Sequence, residues 1–139
     1  MHLLLLVAAL GGRAASVDAD RVQMKGALMR IQAADGYTLH EIRSAAGTTV
    51  REYVSSSGDV FAVAWSGPAM PNLQLVLGEY FSAYQRELQQ LRQTRHTRGP
   101  VAIDDGNLVV EASGHMRSYS GRAYVRRIMP ANVTPSAIQ

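Results

Sequence analysis

Two pairs of polar side chains on strand-like runs carry the chemistry this sequence could perform. Arg51 and Tyr53 are two residues apart, as are His115 and Arg117, so each pair shares a face wherever its run is extended. If the two runs are neighbours on the face bearing Trp65, the only tryptophan, they line a shallow groove with an aromatic floor and cationic walls. Such a groove suits an anionic or sugar-like ligand, with the indole stacking and the guanidiniums bridging to oxygen atoms. The competing expectation makes Trp65 core and Arg51 a cross-strand partner of a carboxylate. A further alternative is a small enzyme in which His115 is the acid or base and Arg51 or Arg117 holds an anionic substrate.

A second cationic cluster, Arg92, Arg95 and Arg98 around His96, sits where a helix is expected to end before Gly99-Pro100. Positive charge there complements the negative end of the helix dipole. As an anion patch, extended by Arg122, Arg126 and Arg127, it would meet lipid headgroups, polysaccharide or nucleic acid. Nucleic acid is the weakest fit, because no aromatics are interleaved with the charges and no nucleic-acid-binding module is present. Thirteen of the fourteen basic residues are arginine, which fits either oxygen-gripping forks or a GC-rich codon bias. The net charge of +3 permits an acidic partner without demanding one.

Other chemistry is excluded by what is missing. Without cysteine there is no disulfide, thiolate metal site or cysteine nucleophile. His2, His40, His96 and His115 form no i, i+4 pair, and no G-x-S-x-G, H-E-x-x-H, P-loop or G-x-G-x-x-G occurs. Asp104 and Asp105 are adjacent, so an extended chain would send their carboxylates to opposite faces; with Gly106 they read as a turn. No catalytic residue, metal site or cofactor is assigned.

The elements that must position these groups begin with residues 37–68. Three strands are expected there, linked by turns at Ala45-Ala46-Gly47 and Ser57-Gly58-Asp59. The second strand alternates, with Val50, Glu52 and Val54 on one face and Arg51 and Tyr53 on the other. The third, residues 60–65, is apolar on both faces, with Phe61, Val63 and Trp65 on one and Val60, Ala62 and Ala64 on the other. Such a strand must be covered twice and is expected to be central. Pro68 and Pro71 end the sheet, and Asn72 caps a helix over 72–92 whose core stripe is Leu73, Val76, Leu77, Tyr80, Phe81, Tyr84, Leu88 and Leu91. A shorter helix is expected over 16–31, capped by Ser16, with Val17, Met24, Leu28 and Ile31 on one stripe. Strands follow at 108–111 and 115–120, the chain turning at Ser113-Gly114, with a short sixth strand at 122–127. Residues 130–139 read as a tail over the surface, with Ile138 tucked in.

At the N-terminus, residues 3–10, LLLLVAAL, are too short to span a bilayer, for which about 20 residues are needed. They have the size of a signal-peptide apolar region, with Val7-Ala8-Ala9 offering a cleavage site after Ala9. Only Met1 and His2 precede the run, so residues 1–9 read as a truncated signal peptide and 10–139 as the domain. The alternative is an apolar helix packed on the fold.

The runs REYVSSSGDVFAVAWSGP, NLQLVLGEYF, GPVAIDDGNLVVEASGHMRSYSGRAYV and VTPSAIQ resemble the domain of unknown function 2844 family of exported proteobacterial proteins, over about residues 10–139. The resemblance implies a leader before a start like Leu10-Gly11-Gly12, and hence a periplasmic or secreted location. It supplies no activity, substrate or catalytic residue. The expected fold is α+β: a curved antiparallel sheet of about five strands on one long helix, in the order β-β-β-α-β-β after a short leading helix. The expected role is a non-catalytic binding or accessory module of the cell envelope, its partner an envelope protein or an anionic or sugar-like ligand. The alternatives are the small enzyme and a structural or assembly protein.

Overall fold

In the computed structural model of the chain the described residues are 10–11, 27–94 and 99–139. Four strands come first, β1 (Ala27–Ala34), β2 (Tyr37–Arg43), β3 (Thr49–Ser55) and β4 (Val60–Gly67). Helices α1 (Leu73–Leu77) and α2 (Phe81–Thr94) follow, then β5 (Val101–Asp104), β6 (Leu108–His115) and β7 (Ser118–Val125). All seven strands form one antiparallel sheet in the order β1-β2-β3-β4-β7-β6-β5. The class is α+β, as expected, but the sheet has seven strands rather than five and is neither strongly curled nor closed.

The turns predicted between β2, β3 and β4 are present, and Gly47 and Gly58 take the positive φ (91° and 90°) that such links require. β4 is central, flanked by β3 and β7, and Val60 to Trp65 are all buried. A bulge beside it corrects the expected faces. Val54 pairs with Val60 and Tyr53 with Ala62, so Phe61 is the extra residue. Phe61 therefore joins Tyr53, Ala62 and Ala64 on one side, while Val60, Val63 and Trp65 pack on the other.

A second bulge explains a larger error. The stripe read as a helix over 16–31 ends in a strand, because Ala27 to Ala34 pairs with β2. Leu28 pairs with Ile42 and Ile31 with His40, so a spacing of three on β1 spans only two on β2. One inserted residue thus imitates helical spacing. Ala33 and Ala34 belong to the strand, and Asp35-Gly36 makes the turn. The remainder of that expected helix, with Ser16, Val17 and Met24, lies outside the described residues, as do residues 1–9, read from the sequence as a leader.

At the second helix Asn72 is the cap, its Oδ1 accepting from the backbone N–H of Gln74 (3.0 Å) and Leu75 (3.3 Å). The helix is not continuous. Gly78 turns the chain at φ 53°, Gly78–Tyr80 is a 3-10 turn, and α2 then runs to Thr94. Leu73, Val76, Leu77, Tyr80, Phe81, Tyr84 and Leu88 of the predicted stripe pack against Val50, Val63, Trp65, Val110 and Ala123 on one side of the sheet. Leu10 is buried in the same cluster, its N–H donating to Val76 O (3.0 Å), and Gly11 N–H donates to Val60 O (2.8 Å).

The last third departs from its expected boundaries. β6 continues through Ser113 and Gly114, and the chain turns at Met116-Arg117, where Arg117 takes φ 66°. That left-handed conformation costs a non-glycine residue about 1 kcal/mol. β7 is one strand spanning the expected break at Gly121, and Arg126–Ile128 is a 3-10 turn rather than a sixth strand. Gly121 is needed in mid-strand for close approach: a Cβ there would lie 2.3 Å from Trp65 Cζ2 and 2.9 Å from Glu111 O.

The turn at 104–107 is fixed by its own side chains, as the aspartates implied. Asp105 Oδ1 accepts from Asn107 N–H (2.9 Å) and Leu108 N–H (2.6 Å). Asp104 accepts a two-pronged bond from Arg126 (2.6 and 2.8 Å) and a bond from Gly106 N–H (2.9 Å). The Arg126 bonds first, and the Gly106 N–H second, hold its pKa at about 2 against an ordinary 3.8.

Gly121→Ala is expected to lower stability by about 2 kcal/mol through overpacking against Trp65, read as a lower midpoint in urea unfolding; an unchanged midpoint would refute that packing. Because the Asp104 pKa is depressed in the folded protein, its stabilising contribution is present above 3.8 and lost as pH falls through about 2. An NMR titration of Asp104 should have its midpoint near the lower value, and Arg126→Gln should move it up toward 3.8.

Candidate functional site

The side of the sheet away from the helices is organised in rows, because antiparallel register sets one residue of each strand opposite the next. One row crosses all seven strands: Arg30, Glu41, Arg51, Ala64, Arg122, Glu111 and Ala102. Charge alternates on either side of Ala64, which separates the like-charged Arg51 and Arg122. Glu41 Oε2 bridges Arg30 (3.4 Å) and Arg51 (3.2 Å), and Glu111 Oε1 accepts from Arg122 (2.8 Å). At the row's centre β4 supplies only the methyl group of Ala64. The next row is apolar, with Leu39, Tyr53, Ala62, Tyr124 and Val109; the row on the other side is polar, with Arg43 on β2 and then the small residues Thr49, Ser66, Ser120 and Ser113.

Residues 130–139 cover the apolar row. Val133 and Ile138 are buried against Tyr53, Phe61, Ala62, Ala64 and Tyr124, and Ile138 is 0% exposed. Burial of the Ile138 side chain contributes about 1.5–3 kcal/mol. Its tucking-in is as the sequence implied. Side chains of the sheet hold the segment's main chain. Tyr53 Oη donates to Gln139 O (3.1 Å) and accepts from Gln139 N–H (3.1 Å), and Arg51 Nη1 donates to the same carbonyl (3.0 Å). Arg122 Nη1 donates to Pro135 O (2.6 Å) and Ile138 O (3.4 Å).

Beside this segment a cavity of about 540 Å³ opens over the charged and serine rows. Arg51, Arg122 and Glu111 line it, with Ser66, Ser113 and Ser120 on one side, Pro100 to Ala102 at the β5 edge and Ile138-Gln139 at the wall. Its mixed lining and size suit a small ligand or a short stretch of chain.

The expected groove is corrected in three ways. Arg51 and Tyr53 do share a face, but Trp65 is register-paired with Val50, so its ring points to the helix side. It is 1% exposed and offers no stacking floor, which is the core role the sequence also allowed. Tyr53 is spent on Gln139. His115 and Arg117 flank or form the exposed tip of the β6–β7 hairpin, beside Met116 at 87% exposure, and do not line the cavity. His115 is therefore not beside Arg51 in the cavity, and the other pairing of the enzyme reading, His115 with Arg117, lies on the exposed hairpin tip. Arg51 is indeed a cross-strand partner of a carboxylate, Glu41.

The anion patch of Arg92, Arg95 and Arg98 falls largely outside the described residues. Arg92 is exposed at the end of α2, while Arg95, His96 and Arg98 lie outside the described residues. Arg122 and Arg126 do not join it, being paired with Glu111 and Asp104. Among the described residues no three or more His, Asp or Glu gather as metal ligands, and no helix is long and apolar enough to cross a membrane.

Sequence reading missed Arg122, Glu111 and the serines as site residues. Period-two spacing on each strand was available, but only strand order sets Arg122 between Ala64 and Glu111. It also left out the helix-side juxtaposition of His40 with the buried Glu52, register partners on β2 and β3; burial holds the His40 pKa below its ordinary value.

The profile of a family described as "Protein of unknown function (DUF2844)" matches residues 7–138. No curated protein and no solved structure matches the chain.

Tyr53→Phe keeps the ring in its aromatic cluster with Tyr37 and Phe61 and removes both bonds to Gln139. It is expected to cost about 1–2 kcal/mol and to speed amide exchange over 136–139, with β6 and β7 unaffected; unchanged exchange there would show that the clamp is not made.

Proposed function

We propose that this chain, which belongs to the DUF2844 family, is an exported, non-catalytic binding module whose ligand occupies the cavity beside residues 130–139. The observation that carries the reading is the pairing state of the cavity's two arginines. Arg51 and Arg122 each lie against a carboxylate, Glu41 and Glu111, and with Glu41 shared by Arg30 the row's three arginines and two glutamates leave a net charge of only +1. An anionic ligand would have to compete with a carboxylate already in place. An uncharged ligand rich in oxygen acceptors needs only the remaining guanidinium protons and serine hydroxyls, which cost little to desolvate in a pocket open to water. Of the two ligand classes expected from the sequence, the uncharged one fits better.

Export is supported by the apolar run over 3–10, by small residues before Leu10, and by the way Leu10 is built into the fold. Leu10 and Gly11 are tied to Val76 and Val60 by main-chain hydrogen bonds, so a chain cleaved after Ala9 keeps every one of these anchors.

Expression from the complete upstream reading frame, followed by native mass spectrometry of the periplasmic fraction, tests both parts. A mass beginning at Leu10 and carrying a bound uncharged molecule is the expected result. Recovery only in the cytoplasm with Met1 intact would refute export, and a protein that always emerges with bound inorganic anion would refute the uncharged ligand.

A further inference from the structure

The two ends of the sheet differ in charge. At one end the connections 35–36, 56–59 and 105–107 carry Asp35, Asp59 and Asp105, with Asp104 closing β5 beside them. Arg126 and Arg127 follow β7 there, and Arg126 is spent on Asp104. The other end begins at the row of Arg43, Thr49, Ser66, Ser120 and Ser113. Past that row the chain projects three times, as residues 44–48, 67–72 and 114–119, and none of these residues is acidic. Ala45, Ala46 and Pro68 are exposed on the projections, as are Met70 at 44% and Met116 at 87%. Arg43 and Arg117 are exposed beside them and form no ion pair with the described residues, unlike Arg30, Arg51, Arg122 and Arg126. We propose that this end of the molecule docks on an anionic lipid surface, with Met70 and Met116 entering the headgroup boundary and Arg43 and Arg117 meeting phosphate oxygens. The docking is separate from the ligand of the cavity beside residues 130–139.

A hollow at the same end points to hydrocarbon. A cavity of about 270 Å³ lies between the first two projections, and none of its described lining residues is charged. Val50, Met70, Leu75 and Val76 give it apolar walls. Its polar side chains are already engaged. Ser44 Oγ accepts from Thr48 N–H (3.2 Å), and Thr48 Oγ1 accepts from Ala69 N–H (3.1 Å) while donating to Ala69 O (2.6 Å). Asn72 Oδ1 is occupied in capping α1. An acyl chain asks for no hydrogen bond and suits such a lining. Apolar groups flanked by cations bind membranes through buried apolar area together with attraction to anionic headgroups. A stable protein interface needs about 800 Å² of continuous surface on each side. Here the apolar groups stand on separate projections with polar Asn72 and Ser118 among them, and lipid can close around each one.

The chain would be sedimented with vesicles of mixed phosphatidylglycerol and phosphatidylcholine, and with vesicles of phosphatidylcholine alone. Residues 3–9, if retained in the purified protein, add equally to every variant and to both vesicle types. Stronger partition onto the anionic vesicles is expected, and Met116→Trp should show blue-shifted emission when bound to them. The double variant Met70→Ser/Met116→Ser should weaken binding by about tenfold. Arg43→Gln/Arg117→Gln should weaken it by about tenfold or more, since each arginine near an anionic surface is worth about fivefold. Arg127→Gln removes the same charge at the opposite end and should leave binding unchanged, and the urea midpoint should be kept in every variant. No partition, or equal partition onto neutral vesicles, would overturn the proposal. An equal loss in Arg127→Gln would reduce the attraction to net charge and overturn it too. A dimer formed without vesicles and abolished by Met116→Ser would assign this end to a second copy of the chain instead.

Discussion

A central strand with no polar face governs this molecule. Val60 to Trp65 are buried without exception, and a strand at the middle of an antiparallel sheet is stable in water only if both its faces are covered. The chain meets the requirement unequally. On one side α1, α2 and Leu10 supply a broad apolar layer; on the other, residues 130–139, with one 3-10 turn at Pro135–Ala137, supply two buried side chains and a set of polar ties. The helix side is thus the stable core. The tail side is where a surface is left part-covered.

Partial cover is what generates the candidate site. A second helix would have closed the whole face. The 130–139 segment instead lies over the apolar row, and the cavity opens beside it over the charged one. Ala64 matters here more than its size implies: it is buried beneath residues 130–139, and a longer side chain there would push that segment off the sheet. The paired carboxylates Glu41 and Glu111 hold both guanidiniums in fixed orientation, so the donors that face the cavity are pre-set. Exposed pairs of this kind add little stability on their own. Their value is positional.

Two bulges carry much of the difference between the expected and observed arrangement. The one at Phe61 transfers an aromatic ring to the tail side, where it meets Tyr37 and Tyr53 and gives residues 130–139 an apolar bed. The one between Leu28 and Arg30 gives a strand the apolar spacing of a helix. Bulges leave no mark in a period count, since they are choices of pairing rather than of composition.

The sequence by itself determined the local events: the turns at Gly47, Gly58 and Asp105-Gly106, the Asn72 cap, the core stripe of the second helix, the double burial of β4 and the tucked Ile138. Each follows from residues within a few positions of one another, through side-chain bonds to nearby backbone or periodic burial. Family membership was legible in the runs around VREYVS and VFAVAWSGP. The candidate site was legible only in part, as Arg51 and its share of a face with Tyr53. That Arg122 and Glu111, not His115 and Arg117, complete it depends on β7 pairing with β4, on a hairpin turning at Met116-Arg117, and on a tail that returns across the sheet. Those are contacts between residues far apart in the chain. No local propensity encodes them; they are selected by which register buries the most apolar surface on both sides at once.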